Sequence, residues 1–129
     1  MEAELYLTQV KSALILSSIV LSFSIKEEKN LGDRGYLQVR LILSNGDFVE
    51  VAEYFLVTNQ GLETIRYRYQ WMDKSQKILR RRWDNVPHFP DLPNFPHHVH
   101  VESEKNVYPS ECFNILQLLL LLESELKTP

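Results

Sequence analysis

The feature that most constrains the fold is a pair of alternating segments that meet at an Asn-Gly turn within Tyr36–Val57. Apolar and polar side chains alternate on both sides of the turn, which is typical of a half-buried antiparallel hairpin. A two-residue turn would place Leu41 opposite Glu50. A three-residue turn with Gly46 in the left-handed conformation instead matches apolar with apolar residues and charge with countercharge. The predicted pairs are Val39–Val51, Arg40–Glu50, Leu41–Val49 and Ile42–Phe48.

The rest of the chain predicts a helix at each end and further antiparallel strands between them. The elements are a helix over about Glu2–Ser17, a strand Ile19–Ile25, a charged loop Lys26–Gly35, the hairpin Tyr36–Val57, a second hairpin Glu63–Asp84 that turns within Asp73–Gln76, a proline-rich loop Asn85–Pro96, a short strand His97–Glu102, and a helix from near Tyr108, with Ser110 as N-cap, to about Lys127. We expect a single two-layer α+β domain over residues 1–129. Its antiparallel sheet has five or six strands in a meander of hairpins, and both helices flank one face.

Charge is distributed very unevenly along this sequence. The segment Arg66–Arg82 holds seven of the 14 Lys and Arg residues and one acid, Asp73, so it carries +6 by count. The remaining seven basic and 16 acidic residues give −9, which adds up to the overall charge of −3. Such an asymmetry predicts a polyanionic partner, and RNA is the one that this segment favours.

Aromatic and basic side chains alternate on the first strand of this segment. Tyr67 and Tyr69 alternate with Arg66 and Arg68, and three more arginines return at 80–82. Aromatic rings can stack on bases and guanidinium groups can bind phosphate, so one interpretation is an RNA-binding surface. The other interpretation is that the aromatic face belongs to the core and the arginines form a solvated outer face.

The histidines form a second pattern, for which three interpretations stay open. His98 and His100 project from the same side of a strand, and Glu102 extends the row. This row could hold a metal ion with His88 or Asp84 arriving from the loop, supply acid–base groups for phosphodiester cleavage, or stabilise the proline-rich loop.

Two further features of the sequence predict where in the cell the protein is located. The apolar run Ala13–Ile25 is too short to span a bilayer, so we expect a soluble cytoplasmic protein without a membrane partner. Cys112 is the only cysteine, which excludes an internal disulfide. It lies within the predicted last helix, where we expect a buried structural thiol.

The central segment contains a Tyr-rich strand, an aromatic-Asp-Asn-x-Pro-His segment and a Phe-Pro-His-His-x-His segment. Their residues are Tyr67, Tyr69, Trp83, Asp84, Asn85, Pro87, His88, Phe95, Pro96, His97, His98 and His100. This succession resembles the TumE-type toxin family of prokaryotic toxin–antitoxin systems. Phe89 departs from the family pattern, in which a second histidine often follows the first. The resemblance implies a growth-inhibiting toxin and a small cognate antitoxin, typically a DNA-binding helix-turn-helix protein.

These observations lead to a first hypothesis and two alternatives. The first is the toxin of a type II toxin–antitoxin system that acts as a metal-independent ribonuclease without a cofactor. The predicted catalytic residues are His88, His98, His100, Asp84, Tyr67 and Tyr69, and the predicted substrate-binding residues are Arg66, Arg68, Arg80, Arg82, Trp83 and His97. The alternatives are a non-catalytic RNA-binding or protein-interaction module and a metal-dependent hydrolase that uses His98, His100 and Glu102. The chain could also form a homodimer through its Leu-rich C-terminal helix.

Overall fold

The computed structural model describes residues 2–127, which form one antiparallel sheet between two helices in the sequence. The elements are α1 (Ala3–Leu16), β1 (Val20–Asn30), β2 (Arg34–Leu43), β3 (Phe48–Thr58), β4 (Gly61–Met72), β5 (Leu79–Asp84), β6 (His98–Val101), β7 (Val107–Pro109) and α2 (Ile115–Lys127). Each strand pairs with the next one along the chain, so the sheet is a simple meander. The predicted α+β class is confirmed.

The predicted central hairpin is confirmed pair by pair. The four observed pairs are Val39–Val51, Arg40–Glu50, Leu41–Val49 and Ile42–Phe48. Gly46 adopts a φ of 91°, and the Leu43 amide donates to the Asp47 carbonyl at 2.8 Å to close the three-residue turn. A Cβ atom strains this backbone conformation, which is why glycine occupies the position.

The sheet has seven strands, so the prediction of five or six was too low. One additional strand is β7, which pairs with β6 after a short turn. The predicted charged loop Lys26–Gly35 was also wrong, because β1 continues to Asn30. An edge strand tolerates such a polar sequence since much of it faces water, and here the Lys11 ammonium group of α1 binds Glu28 at 3.0 Å.

The C-terminal helix begins later than predicted, at Ile115 rather than near Tyr108. The Asn114 side chain accepts a hydrogen bond from the Gln117 amide at 2.9 Å, and the Gln117 side chain accepts one from the Asn114 amide at 2.8 Å. This reciprocal capping box defines the helix start. Cys112 therefore lies before the helix, and it is exposed rather than a buried structural thiol.

Both helices pack on the same face of the sheet. Buried side chains of α1, α2 and the inward positions of the strands form one hydrophobic cluster. Tyr67, Tyr69 and Trp83 belong to this core, whereas Arg66 and Arg68 project from the opposite face. On α2, Leu120 is 66% exposed, while its apolar neighbours Ile115, Leu118, Leu119 and Leu122 are buried. Within residues 2–127, neither helix is long and apolar enough to cross a membrane.

A buried carboxylate joins the two helices to the core face of the sheet. Glu53 of β3 is fully buried and accepts hydrogen bonds from the Tyr6 hydroxyl at 2.5 Å and the Thr64 hydroxyl at 2.6 Å. Its third donor is the Ile115 amide at the start of α2, at 3.3 Å. Desolvation by burial raises the pKa of Glu53 above its ordinary value.

Candidate functional site

The candidate site lies on the outer face of the sheet, where β5 pairs with β6. Asp84 pairs with His98, and Arg82 pairs with His100. Directly opposed residues of an antiparallel pair project to the same side, so the pairing brings these four side chains together. Strand register, rather than proximity in the sequence, therefore builds the cluster.

The proline-rich loop between β5 and β6 covers this cluster and makes it a cavity. The Phe89 ring packs edge-on against His98, with ring centroids 5.0 Å apart, and lies 6.0 Å from the His100 ring. Asp84, His98 and His100 are only 4%, 2% and 4% exposed. The cavity has a volume of about 410 Å³, and Arg68, His88 and Glu104 complete its polar lining.

The two histidines have the same hydrogen-bonding pattern. The Nδ1 atom of His98 lies 3.0 Å from the Pro96 carbonyl oxygen, and that of His100 lies 2.9 Å from the Glu104 carbonyl oxygen. A carbonyl oxygen only accepts hydrogen bonds, so both Nδ1 atoms carry the proton. Both Nε2 atoms point toward Asp84, at 3.0 Å from Oδ1 for His98 and 3.9 Å from Oδ2 for His100.

Two more groups hold the Asp84 carboxylate in place. The Val86 amide donates to Oδ1 at 3.0 Å, and the Arg82 Nε atom donates to Oδ2 at 3.3 Å. The other two guanidinium nitrogens of Arg82 bind both carboxylate oxygens of Glu104. Arg82 is therefore clamped between two acids at the wall of the cavity, which leaves little of its charge available to a substrate.

Arg68 differs from the other predicted phosphate-binding arginines. Its side chain is exposed at the cavity, where it donates to the Gln70 side chain at 3.0 Å. Arg66 stacks over the Tyr54 ring at 5.7 Å, away from the cavity. Arg80 is the extra residue of a β-bulge, and it binds Asp47 at 2.7 Å. Only Arg68 and Arg82 of the predicted set thus line the cavity.

The predicted aromatic residues lie on the opposite, core-facing side of the sheet. The Tyr69 hydroxyl donates to the Phe113 carbonyl at 2.9 Å, and Trp83 is 4% exposed. Tyr67 is also buried, with its hydroxyl 2.9 Å from the His97 Nδ1 atom. Burial raises the pKa of both tyrosines. The sheet therefore separates Tyr67, Tyr69, Trp83 and His97 from the cavity.

The predicted row of His98, His100 and Glu102 is interrupted at its last member. β6 ends at Val101, and Glu102 turns with a φ of 65°, so its exposed side chain leaves the row. Asp84 takes the corresponding place beside the histidines. Within residues 2–127, this is the one group of three potential metal ligands whose donor atoms all lie within 4.8 Å of one another.

Comparison with known families identifies the chain. The family model described as Toxin TumE matches residues 10–127. The chain belongs to the TumE toxin family. No curated protein and no solved structure shows a significant match to it.

Two residues of this TumE-family site were not predicted from the sequence. Glu104 positions both Arg82, through its carboxylate, and His100, through its carbonyl oxygen. Phe89 covers the histidines from the loop. The sequence contained a signal for Phe89, because this residue occupies a position where the TumE family pattern often has a histidine. It contained no signal for Glu104, since the role of that residue follows from the tight turn between β6 and β7.

Proposed function

We propose that this TumE-family chain is the toxin of a type II toxin–antitoxin system and that it arrests growth by cleaving RNA in the cytoplasm. The family supports the toxin role. The observation that carries the RNA-directed chemistry is the convergence of Asp84, His98 and His100 in one cavity beside the exposed guanidinium group of Arg68. Imidazole groups can supply the acid–base chemistry of phosphodiester cleavage near neutral pH, and a guanidinium group can stabilise the charge that develops on the phosphate.

The geometry suggests a division of roles within the cavity. Arg68 would bind the scissile phosphate and stabilise the charge that develops on it. His88 is exposed at the cavity mouth, where it can donate a proton to the leaving oxygen. Of the two buried histidines, His100 has its Nε2 atom farther from Asp84, at 3.9 Å, so this nitrogen would take a proton from the attacking group. His98 is bound at both ring nitrogens, so it would position Asp84.

The proposed partner is a small antitoxin encoded beside the toxin, with a helix-turn-helix that binds DNA. It would neutralise the chain by covering the cavity or its mouth. Homodimer formation through α2 stays a prediction, and the exposed Leu120 is the residue of that helix on which it would depend.

Expression of the chain in growing cells tests this proposal. We expect wild type to arrest growth within a few generations and to fragment total RNA, whereas His98→Ala and His100→Ala leave both growth and RNA intact. Removal of an acid–base group typically lowers a rate by about 10²–10⁴-fold, which is enough to prevent arrest. Arg40→Ala is the matched control, because Arg40 lies on the same outer face but pairs with Glu50 at 2.8 Å, outside the cavity.

The outcomes separate the parts of the proposal. Arrest with intact RNA would contradict RNA cleavage and favour a non-catalytic mode of inhibition. Absence of arrest with a soluble, folded wild-type chain would contradict the toxin role itself. Equal toxicity of wild type and both histidine variants, with folding confirmed by circular dichroism, would remove the cavity as the active site.

A further inference from the structure

The two buried histidines of the cavity, His98 and His100, carry a ring proton at the same position. Each Nδ1 atom donates to a backbone carbonyl, so each neutral ring presents a lone pair at Nε2. Histidines that bind metal ions almost always have this arrangement, with the second ring nitrogen donating to a carbonyl or carboxylate. Here two neighbouring histidines share it, and their ring centroids are 4.9 Å apart.

The Nε2 lone pairs of both histidines face the Asp84 carboxylate. Two lone-pair acceptors face each other favourably only when a positive charge lies between them. The His98 Nε2 atom lies 3.0 Å from Asp84 Oδ1. Neutral imidazole and carboxylate would present two acceptors to each other, which is repulsive in a buried site. The His100 Nε2 atom, at 3.9 Å from Asp84 Oδ2, is beyond hydrogen-bond distance, so a cation placed among the three groups would bind an atom that Asp84 alone does not reach.

The spacing and the charge of the cluster suit a metal ion. Donor atoms that share an ion at about 2.1 Å with tetrahedral angles are about 3.4 Å apart, and the observed 3.0 Å and 3.9 Å lie on either side of that value. The positive charge of Arg82 is offset by Glu104, so the carboxylate of Asp84 keeps its negative charge available. The cavity above leaves room for water or substrate at an open coordination position.

We infer that Asp84, His98 and His100 form a binding site for a divalent transition-metal ion such as Zn²⁺, with Asp84 Oδ and both Nε2 atoms as ligands. This differs from the metal-independent chemistry expected from the sequence, and Asp84 replaces Glu102 as the carboxylate ligand. With the ion bound, the His100 Nε2 atom would be a ligand instead of the acid–base group proposed above, and the ion would supply Lewis-acid activation of a phosphate oxygen. That use of the ion rests on the proposed function, whereas metal binding does not.

Titration of the full-length protein with Co²⁺ after treatment with a chelator tests the site. We expect one Co²⁺ per chain, visible absorption bands of a four- or five-coordinate ion, and displacement by Zn²⁺. His100→Ala and Asp84→Asn should weaken binding by more than about 100-fold, because each removes a ligand rather than an outer contact. Cys112→Ser is the control for binding at the exposed thiol and should leave the affinity unchanged.

Long-range ¹H–¹⁵N spectra of the wild-type histidines provide a second measurement that does not depend on a variant's folding. Zn²⁺ should shift the Nε2 signals of His98 and His100 while their Nδ1 atoms stay protonated. Absence of stoichiometric binding, binding that disappears only in Cys112→Ser, or Nε2 signals that ignore the metal would each overturn the inference.

RNA cleavage by the same preparations distinguishes the inference from the proposed function. Protein that binds one ion at this site without cleaving RNA would keep the metal site and contradict the ribonuclease. Protein that binds no Co²⁺ and still cleaves RNA would keep the ribonuclease and contradict the metal site.

Discussion

The sheet carries a buried carboxylate on each of its faces, and the two differ in what surrounds them. Glu53 on the core face is completely buried, and Asp84 on the outer face is 4% exposed. Three donors that do not titrate near neutral pH saturate Glu53: two hydroxyl groups and a backbone amide. Asp84 instead faces two imidazole rings, a guanidinium group and a cavity.

The difference supports a structural role for one buried acid and the proposed chemical role for the other. Burial alone does not distinguish them, since both carboxylates are removed from water. The groups around Glu53 only donate hydrogen bonds and join α1, α2 and β4 to β3. The groups around Asp84 can exchange protons or bind a cation, and they lie where a ligand can reach them. We therefore propose a structural role for Glu53 and a functional role for Asp84.

The largest expected effect is the loss of stability in Glu53→Ala. Removing the carboxylate takes away the acceptor of the Tyr6 and Thr64 hydroxyl groups and leaves the Ile115 amide only the Tyr6 oxygen at 3.2 Å, which should lower the free energy of unfolding by about 3–5 kcal/mol. Asp84→Asn retains an acceptor for the Val86 amide, so it should cost only about 1 kcal/mol while it abolishes toxicity. Urea unfolding of both variants measures the difference. An equal loss in Asp84→Asn would show that Asp84 is also structural.

The sequence predicts one of these carboxylates better than the other. Glu53 stands at an inward position between Val51 and Phe55, so the two-residue alternation places it among core residues. Its partners, in contrast, come from distant elements and leave no local pattern. The convergence at Asp84 depends on the β5–β6 register and on the path of a 13-residue loop, residues 85–97, neither of which follows from alternation or propensity.

The charge pattern of the sequence was the least reliable guide to the site. The basic segment predicted an open phosphate-binding face, but acids that lie outside this segment bind most of its arginines. Arg80 pairs with Asp47, Arg81 with Glu125, and Arg82 with Asp84 and Glu104. Net charge along a segment is local, whereas ion pairing depends on tertiary structure. The central hairpin was predictable because one short turn fixes its register.

An intermediate effect is expected in the pH dependence of stability. Burial raises the pKa of Glu53, so the folded state holds this proton more tightly than the unfolded state. Its contribution to stability is therefore complete below the ordinary Glu pKa of 4.5 and decreases as pH rises through the raised value. Glu53→Gln keeps an acceptor for Tyr6 and Ile115 and does not titrate.

The difference between wild type and Glu53→Gln isolates this titration from all other groups. We expect the unfolding free energy of wild type, relative to the variant, to fall as pH rises above the ordinary Glu pKa of 4.5. Urea unfolding at several pH values measures it. A difference that is flat or rises with pH would mean that the hydrogen bonds outweigh desolvation, and that Glu53 is ionised in the folded state without penalty.

The smallest effect on stability is expected at Glu104, the exposed acid that holds Arg82 beside Asp84. The Glu104 side chain is 65% exposed, so Glu104→Gln should change the unfolding free energy by less than about 1 kcal/mol. The same change frees the Arg82 guanidinium group for phosphate, because its strongest anionic partner is removed. Affinity for a short single-stranded RNA should then increase severalfold, and its salt dependence should steepen by about one phosphate contact.

Binding is best measured in a His100→Ala background, so that the RNA stays intact during the titration. Glu63→Gln is the matched control, since it removes an equal charge from an exposed position outside the cavity. If both substitutions raise affinity equally, net charge alone explains the gain and Arg82 is not part of the RNA surface. If Glu104→Gln alone raises the affinity for RNA and steepens its salt dependence, the Glu104 carboxylate limits the binding of RNA phosphate by Arg82. The contrast with Glu53 would then be direct, because removing one acid would weaken the fold and removing the other would strengthen binding.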